Sequence, residues 1–173
     1  MVENFKTIVP EMIKENPFHL IGQDWMLITA GHGESHRTFN TMTAAWGSLG
    51  TLWHKPVSFC FVRPTRYTYE FMEKNEIYTL SFFSKAYKEA LSLCGTSSGR
   101  DTDKVTKAGF TAFEIQPGAV TFNEARLVLV CRKWYYQDLD PTHFLDPGIE
   151  KNYPQKDYHR MYVGEVISAF VKK

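Results

Sequence analysis

The chain is built from short runs of β-branched and aromatic residues, each closed by a glycine, a proline or a polar turn, and that rhythm restricts the folds open to it. Trp25-Met-Leu-Ile-Thr-Ala-Gly31 reads as a first strand, closed by the Gly31-His32-Gly33 turn. Thr41 to Gly47 reads as a second, weakly alternating and rich in small residues. Pro56 to Val62 (PVSFCFV) is near-continuous in apolar residues, the mark of a buried strand. Ile77 to Phe83, Glu124 to Tyr136 and His159 to Val171 extend the series. Helical character is confined to three stretches. Thr65 to Lys74 puts Tyr67, Phe71 and Met72 on one side. Lys85 to Cys94 has Ser84 as N-cap candidate and Gly95 just past its end, and Asp101 to Ala108 is opened by Asp101 and stopped by Gly109. So few helices do not fit alternating βαβ units, and no G-x-G-x-x-G follows the first strand. A mainly β barrel with short helices interrupting it is expected. Asp138 to Asp157, with prolines at 141, 147 and 154, reads as a long ordered loop.

At 173 residues, without repeat or linker-like run, the chain is expected to form one domain over residues 1–173, domains running to roughly 100–200 residues. Lys and Arg number 20 against 19 Asp and Glu, a balance that argues against nucleic acid as a partner, since phosphate neutralisation needs a basic excess. No apolar run approaches the ~18 residues of a membrane span, and the N-terminus lacks an apolar signal core, so no membrane and a cytoplasmic location are expected. Cys60, Cys94 and Cys131 are an odd number without C-x-x-C spacing, which fits reduced thiols better than a disulfide framework or a zinc site. His32 and His36 are four apart, but Gly31 and Gly33 speak against a helix there, and no metal is expected.

Four segments carry possible chemistry. Asn40–Gly50 (NTMTAAWGSLG) sets small residues around Trp46; small residues allow close backbone approach to a ligand, or equally a tight barrel corner with Trp46 as filler. Arg63–Tyr69 (RPTRYTY) places two arginines where a buried strand meets a helix start capped by Thr65. Such a start suits an anion gripped by Arg63 or Arg66 with the Thr65 or Thr68 hydroxyl, the alternative being a solvated start with Arg66 pairing Glu70. Cys94–Lys104 (CGTSSGRDTDK) offers a second cradle of small hydroxyl and glycine residues flanked by Arg100 and Lys104, or a plain polar loop. His159 opens a strand, where it could make one hydrogen bond near neutral pH or be a structurally satisfied histidine. The 13 Phe, 9 Tyr and 4 Trp are core mass or the means to bury a planar ring; composition does not choose.

In order and spacing, NTMTAAWG (40–47), KPVSFCFVRPTRYTYEFMEKNEIYTLSFF (55–83), CGTSSGRDTDK (94–104), EARLVLVCRK (124–133) and HRMYVGE (159–165) resemble the flavin reductase-like, FMN-binding split-barrel proteins of the flavoredoxin type. The resemblance runs from about Trp25 to Val171. It implies a mainly β split barrel with short helices, a homodimer, and FMN near the subunit interface. It further implies that Asn40, Thr41, Met42, Thr43, Ala44, Ala45 and Trp46 run along the flavin. Arg63, Arg66, Tyr67 and Thr68, with Ser98, Gly99, Arg100 and Lys104, would hold its phosphate end. His159 would sit by the flavin ring and the nicotinamide approach, as the catalytic candidate. The implied activity is flavin reduction by NAD(P)H. Its rival is a flavoredoxin-like electron carrier that never meets a nicotinamide, and the near-zero charge sets aside a third reading, an oligonucleotide-binding barrel.

Overall fold

The computed structural model describes residues 1–173. In chain order they form β1 (Phe5–Ile8), α1 (Pro17–Gly22), β2 (Met26–Gly31), β3 (Phe39–Ala44), β4 (Gly47–Leu52) and β5 (Lys55–Val62). Then come α2 (Tyr67–Lys74), β6 (Ile77–Phe82), α3 (Lys88–Thr96), α4 (Lys104–Lys107), β7 (Ala112–Gln116) and β8 (Ala119–Phe122). Two long strands, β9 (Leu127–Asp138) and β10 (Arg160–Lys172), close the chain. No helix is long and apolar enough to cross a membrane.

Eight strands make one antiparallel sheet in the order β3-β2-β6-β9-β10-β5-β4, with β1 added to β10. One edge of β10 takes β9 along most of its length, whereas the other is shared, Arg160–Glu165 pairing with β5 and Ala169–Lys172 with β1. The two ends of the path, β3 and β4, are joined through Ala45 and Trp46 yet do not pair with each other. The fold is therefore a mainly β split barrel with short helices, open between β3 and β4. That opening leaves β3 with a free backbone edge.

Alternation explains why β2 and β9 read as continuous apolar runs. Met26, Ile28, Leu127, Leu129 and Cys131 belong to the core inside the barrel. Their neighbours Leu27, Val128 and Val130 belong to a second core outside it, roofed by α3, Val105 of α4 and the β7–β8 hairpin. A strand buried on both faces needs no polar alternation.

Several boundaries differ from the sequence reading. Thr41–Gly47 is not one strand: β3 ends at Ala44 and Gly47 opens β4, where a Cβ would stand 2.7 Å from the Phe59 carbonyl oxygen. The Lys85–Cys94 helix begins at Lys88 behind a 3-10 turn and runs on through Gly95. Gly95 stays inside because α3 packs against Thr43, 3.2 Å from where a Cβ would lie, and Ser84 makes no side-chain cap. The Asp101–Ala108 helix shrinks to α4, capped by Asp103, whose carboxylate accepts the Thr106 N–H at 3.1 Å. Thr65 does not cap α2; Arg66 stands at the N-cap, and the Thr65 hydroxyl turns to Asp157 at 3.3 Å. The β7–β8 hairpin has no counterpart in the reading, although Pro117-Gly118 between two alternating runs was its signal.

Candidate functional site

Two adjoining clefts open beside the unpaired edge of β3. The first, about 470 Å³, is lined by Met42, Thr43, Ala44, Ala45 and Trp46, and across from them by Phe61, Arg63, Arg66 and His159. Consecutive rather than alternate residues line it, as happens when a strand presents its backbone edge rather than a face. Unpaired N–H and C=O groups there are open to a ligand, and the short side chains of Ala44 and Ala45 leave the approach clear.

Trp46 is half-exposed on the rim, its ring 4.9 Å from the buried His159 imidazole. Burial, with Arg63 nearby, pushes the His159 pKa down to about 4, so the ring is neutral at physiological pH. Its Nδ1 lies 2.9 Å from the Tyr153 hydroxyl.

The second cleft, about 400 Å³, shares Met42 and Arg66 with the first. Its other walls are Asn40, Thr65 with the start of α2 (Tyr67, Thr68), the end of α3 (Cys94, Thr96) and the turn after it (Ser97, Ser98, Gly99), with Lys104 behind. No carboxylate lines it. Lys104 is almost wholly buried, its Nζ donating to the carbonyls of Cys94 and Ser97, both at 3.1 Å, and it has no acidic partner. Desolvation, helped by the Arg66 charge, pulls its pKa down to about 8. Arg66 spends one Nη1 hydrogen bond on the Gly95 carbonyl at 3.1 Å and has no ion-pair partner. Two cations converge with several hydroxyls on a space without a counter-charge, which is the electrostatic demand of an anion. Gly99 is required by the same closeness: a Cβ there would overlap the Asn40 side-chain oxygen, and the Asn40 amide is already tied to Thr68 Oγ1 at 2.7 Å.

The structure brings some expected residues together and removes others. Asn40, Met42, Thr43, Ala44, Ala45, Trp46, Arg66, Tyr67, Thr68, Ser98, Gly99, Lys104 and His159 border the joined clefts. Thr41 does not; its side chain turns inward to Thr29 at 2.8 Å. Arg63 borders the first cleft, but its guanidinium is committed to Asp157 (2.8 Å) and the Asn152 carbonyl (2.7 Å). Arg100 lies over the Tyr67 ring and pairs with Glu70, outside both clefts. Thr96 and Ser97 lay inside the Cys94–Lys104 cradle of the sequence reading without being singled out, and Phe61, Tyr153 and Asp157 were given no role in it. Phe61 lay unremarked inside a run read only as buried strand, and Tyr153 carries no local signal because its partner enters from another part of the chain.

Solved structures share the fold, three of them as follows. A flavin reductase-like enzyme's FMN-binding domain from Shewanella baltica superposes with a TM-score of 0.67 at 17% identity, over 98% of this chain and 78% of that one. A flavoredoxin from Methanosarcina acetivorans gives 0.65 at 22% identity, over 97% and 76%. An NADH:FAD oxidoreductase from Streptomyces globisporus gives 0.60 at 18% identity, over 84% and 73%. Identities this low speak for the fold alone. No curated protein sequence matches the chain. The family assignment comes from the sequence itself, residues 18–173 matching the flavin reductase like domain from α1 to the end of β10. The chain belongs to the flavin reductase like domain family.

Proposed function

We propose that the joined clefts bind FMN and that the protein passes electrons from NAD(P)H onto it. The observation that carries the reading is the pair Lys104 and Arg66, uncompensated in a cleft with no acid and continuous with one edged by bare backbone and Trp46. An FMN phosphate carries about −1.5 to −2 charges at pH 7 and calls for two or three charged donors. Lys104, Arg66 and the Ser97–Gly99 turn answer that demand. Bound FMN supplies the hydride and electron chemistry; the chain's part is to hold and orient the ring and keep water from it. The β3 edge offers hydrogen bonds along the ring, Trp46 and Phe61 offer flat apolar contact, and His159 stands neutral at its side. Nicotinamide as donor is supported by the named activity of the Streptomyces relative.

The half-exposed Trp53 sits 6.1 Å from Trp134 and 6.3 Å from Tyr135, both exposed. We assign this aromatic patch to contact with a second copy of the chain, since such patches mark interfaces. All three cysteines are free, which suits a cytoplasmic location.

The test is direct. The purified protein, loaded with FMN, is mixed anaerobically with NADH or NADPH and its visible spectrum followed; bleaching by either is the expected result. A protein that holds no FMN overturns the reading. The likeness to flavoredoxin supports a second one, an electron carrier reduced by protein partners. FMN that stays oxidised with both nicotinamides but is bleached by a reduced ferredoxin, which is oxidised in turn, favours that carrier.

The electrostatics also fix a pH dependence. With its pKa at about 8 in the free protein, Lys104 gains a proton more readily once an anion sits beside it. Binding therefore takes up a proton above pH 8. FMN affinity is expected to be level from about pH 6.5 to 7.5, where the phosphate is mostly dianionic, and then to fall by up to about tenfold per pH unit as pH rises through 8. Fluorescence-quenching titrations across that range check it.

A further inference from the structure

We infer that Tyr153 is a positioning residue for His159: its hydroxyl holds the imidazole as the Nε2–H tautomer, so that His159 presents a neutral hydrogen-bond donor to the cleft beside Trp46. The inference rests on the reading of that cleft as the flavin site and adds what its histidine can recognise.

Tyr153 follows the 3-10 turn Pro147–Asn152 and is held from several sides. The Arg63 guanidinium lies 5.0 Å from its ring centre while bonding the segment before it (Asn152 carbonyl, 2.7 Å) and after it (Asp157 Oδ1, 2.8 Å). The Asp157 carboxyl is held below the usual carboxylate range by that same guanidinium, so the pin persists across the neutral range. Phe144 stacks on the ring at 6.0 Å and Tyr158 packs at 5.0 Å. The His159 backbone is fixed as well, its carbonyl accepting the Leu139 N–H at 2.9 Å.

Within this frame the protons can be counted. Burial raises the Tyr153 pKa, so the phenol keeps its hydrogen at neutral pH. Its hydroxyl has one partner, His159 Nδ1 at 2.9 Å. Were Nδ1 protonated, it would donate to the phenol oxygen and leave the phenol hydrogen without an acceptor in a residue that is 3% exposed, an arrangement costlier than the alternative. With Tyr153 donating, Nδ1 accepts and Nε2 carries the hydrogen. Nε2 has no partner in the protein, yet no buried side-chain nitrogen or oxygen is left unpaired. Nε2 therefore lies open, and the space His159 borders is the first cleft. Its chemistry favours a carbonyl or carboxamide oxygen set against Trp46 over a ligand N–H or ammonium.

The tautomer is read without flavin or turnover. Long-range proton–nitrogen correlation on histidine-labelled, flavin-free protein distinguishes the two nitrogens, and loss of the signal in His159→Gln assigns it. The expected wild-type pattern is the Nε2–H tautomer; an Nδ1–H tautomer overturns the inference. Tyr153→Phe keeps the ring and removes the hydroxyl. It is expected to convert the fixed tautomer to an exchanging mixture, to leave FMN affinity within about twofold, and to lower kcat/KM for the nicotinamide about tenfold. An unchanged tautomer in Tyr153→Phe, or equal losses in FMN affinity and turnover, overturns it too. If Tyr153→Phe fails to fold, the wild-type spectrum still decides. A protein with the Nε2–H tautomer that binds no flavin sinks the functional reading and leaves the tautomer assignment standing.

Discussion

Lys104→Met is expected to weaken FMN binding about 100-fold while leaving the flavin-free protein as stable as the wild type or more so. A hydrogen bond to a charged group contributes about 1.5–3 kcal/mol, and a phosphate held by a desolvated ammonium lies at the upper end; about 2.7 kcal/mol is a factor of 100. The stability half of the result follows from the same burial. The lysine's lowered pKa means that the folded protein carries its charge at a cost. Methionine fills a similar volume without that cost, at the loss of hydrogen bonds to the Cys94 and Ser97 carbonyls. Arg66→Ala is expected to cost less, about tenfold, because the exposed Arg66 acts through water that screens it. Fluorescence titration gives the affinities and thermal melting the stabilities. Affinity within twofold of wild type in Lys104→Met would place the phosphate elsewhere, and loss of the pH dependence above 8 in that variant would tie it to this residue.

Gly164→Ala is expected to destabilise the fold by about 3 kcal/mol, roughly 10 °C in Tm for a chain of this length. Gly164 lies in the middle of β10, opposite Ser58 of β5, where the β9–β10 register shifts. A Cβ there would overlap the Tyr78 hydroxyl and stand 2.9 Å from two carbons of its ring. Tyr78 cannot retreat: it is fully buried and its hydroxyl is bonded to Ser58 Oγ at 2.8 Å, which also reaches Cys131. Moving it would break a buried polar network as well as the packing. Urea unfolding measures the loss. Tyr78→Phe removes the atom in the way, so the double variant should be less destabilised than the sum of the singles, and strict additivity would show that the overlap is not the cause.

How much of this was legible depended on how far each signal reaches along the chain. The PVSFCFV run announced β5 because a strand interior needs only apolar, β-branched neighbours, and α2 showed itself through Tyr67, Phe71 and Met72. Gly95 misled, because a glycine after an apolar stretch usually ends a helix, whereas here it lets α3 close on Thr43. The β4 strand was illegible because its GSLGTL sequence has weak strand preference and is held by its partner β5.

The arginines mark the boundary most clearly. By itself the sequence determined a mainly β barrel, two turns bearing cations and hydroxyls, and a histidine at a strand mouth, because strand and turn preferences are local. It made Arg63, Arg66 and Arg100 equal candidates for an anion. Only the tertiary structure separated them, by carrying Asp157 to Arg63 across 94 positions and Glu70 to Arg100 across 30, while Arg66 and Lys104 met in a cleft with no acid. A cation's availability is set by which opposite charge the fold places within a few ångströms, and Coulomb attraction takes no account of distance along the chain.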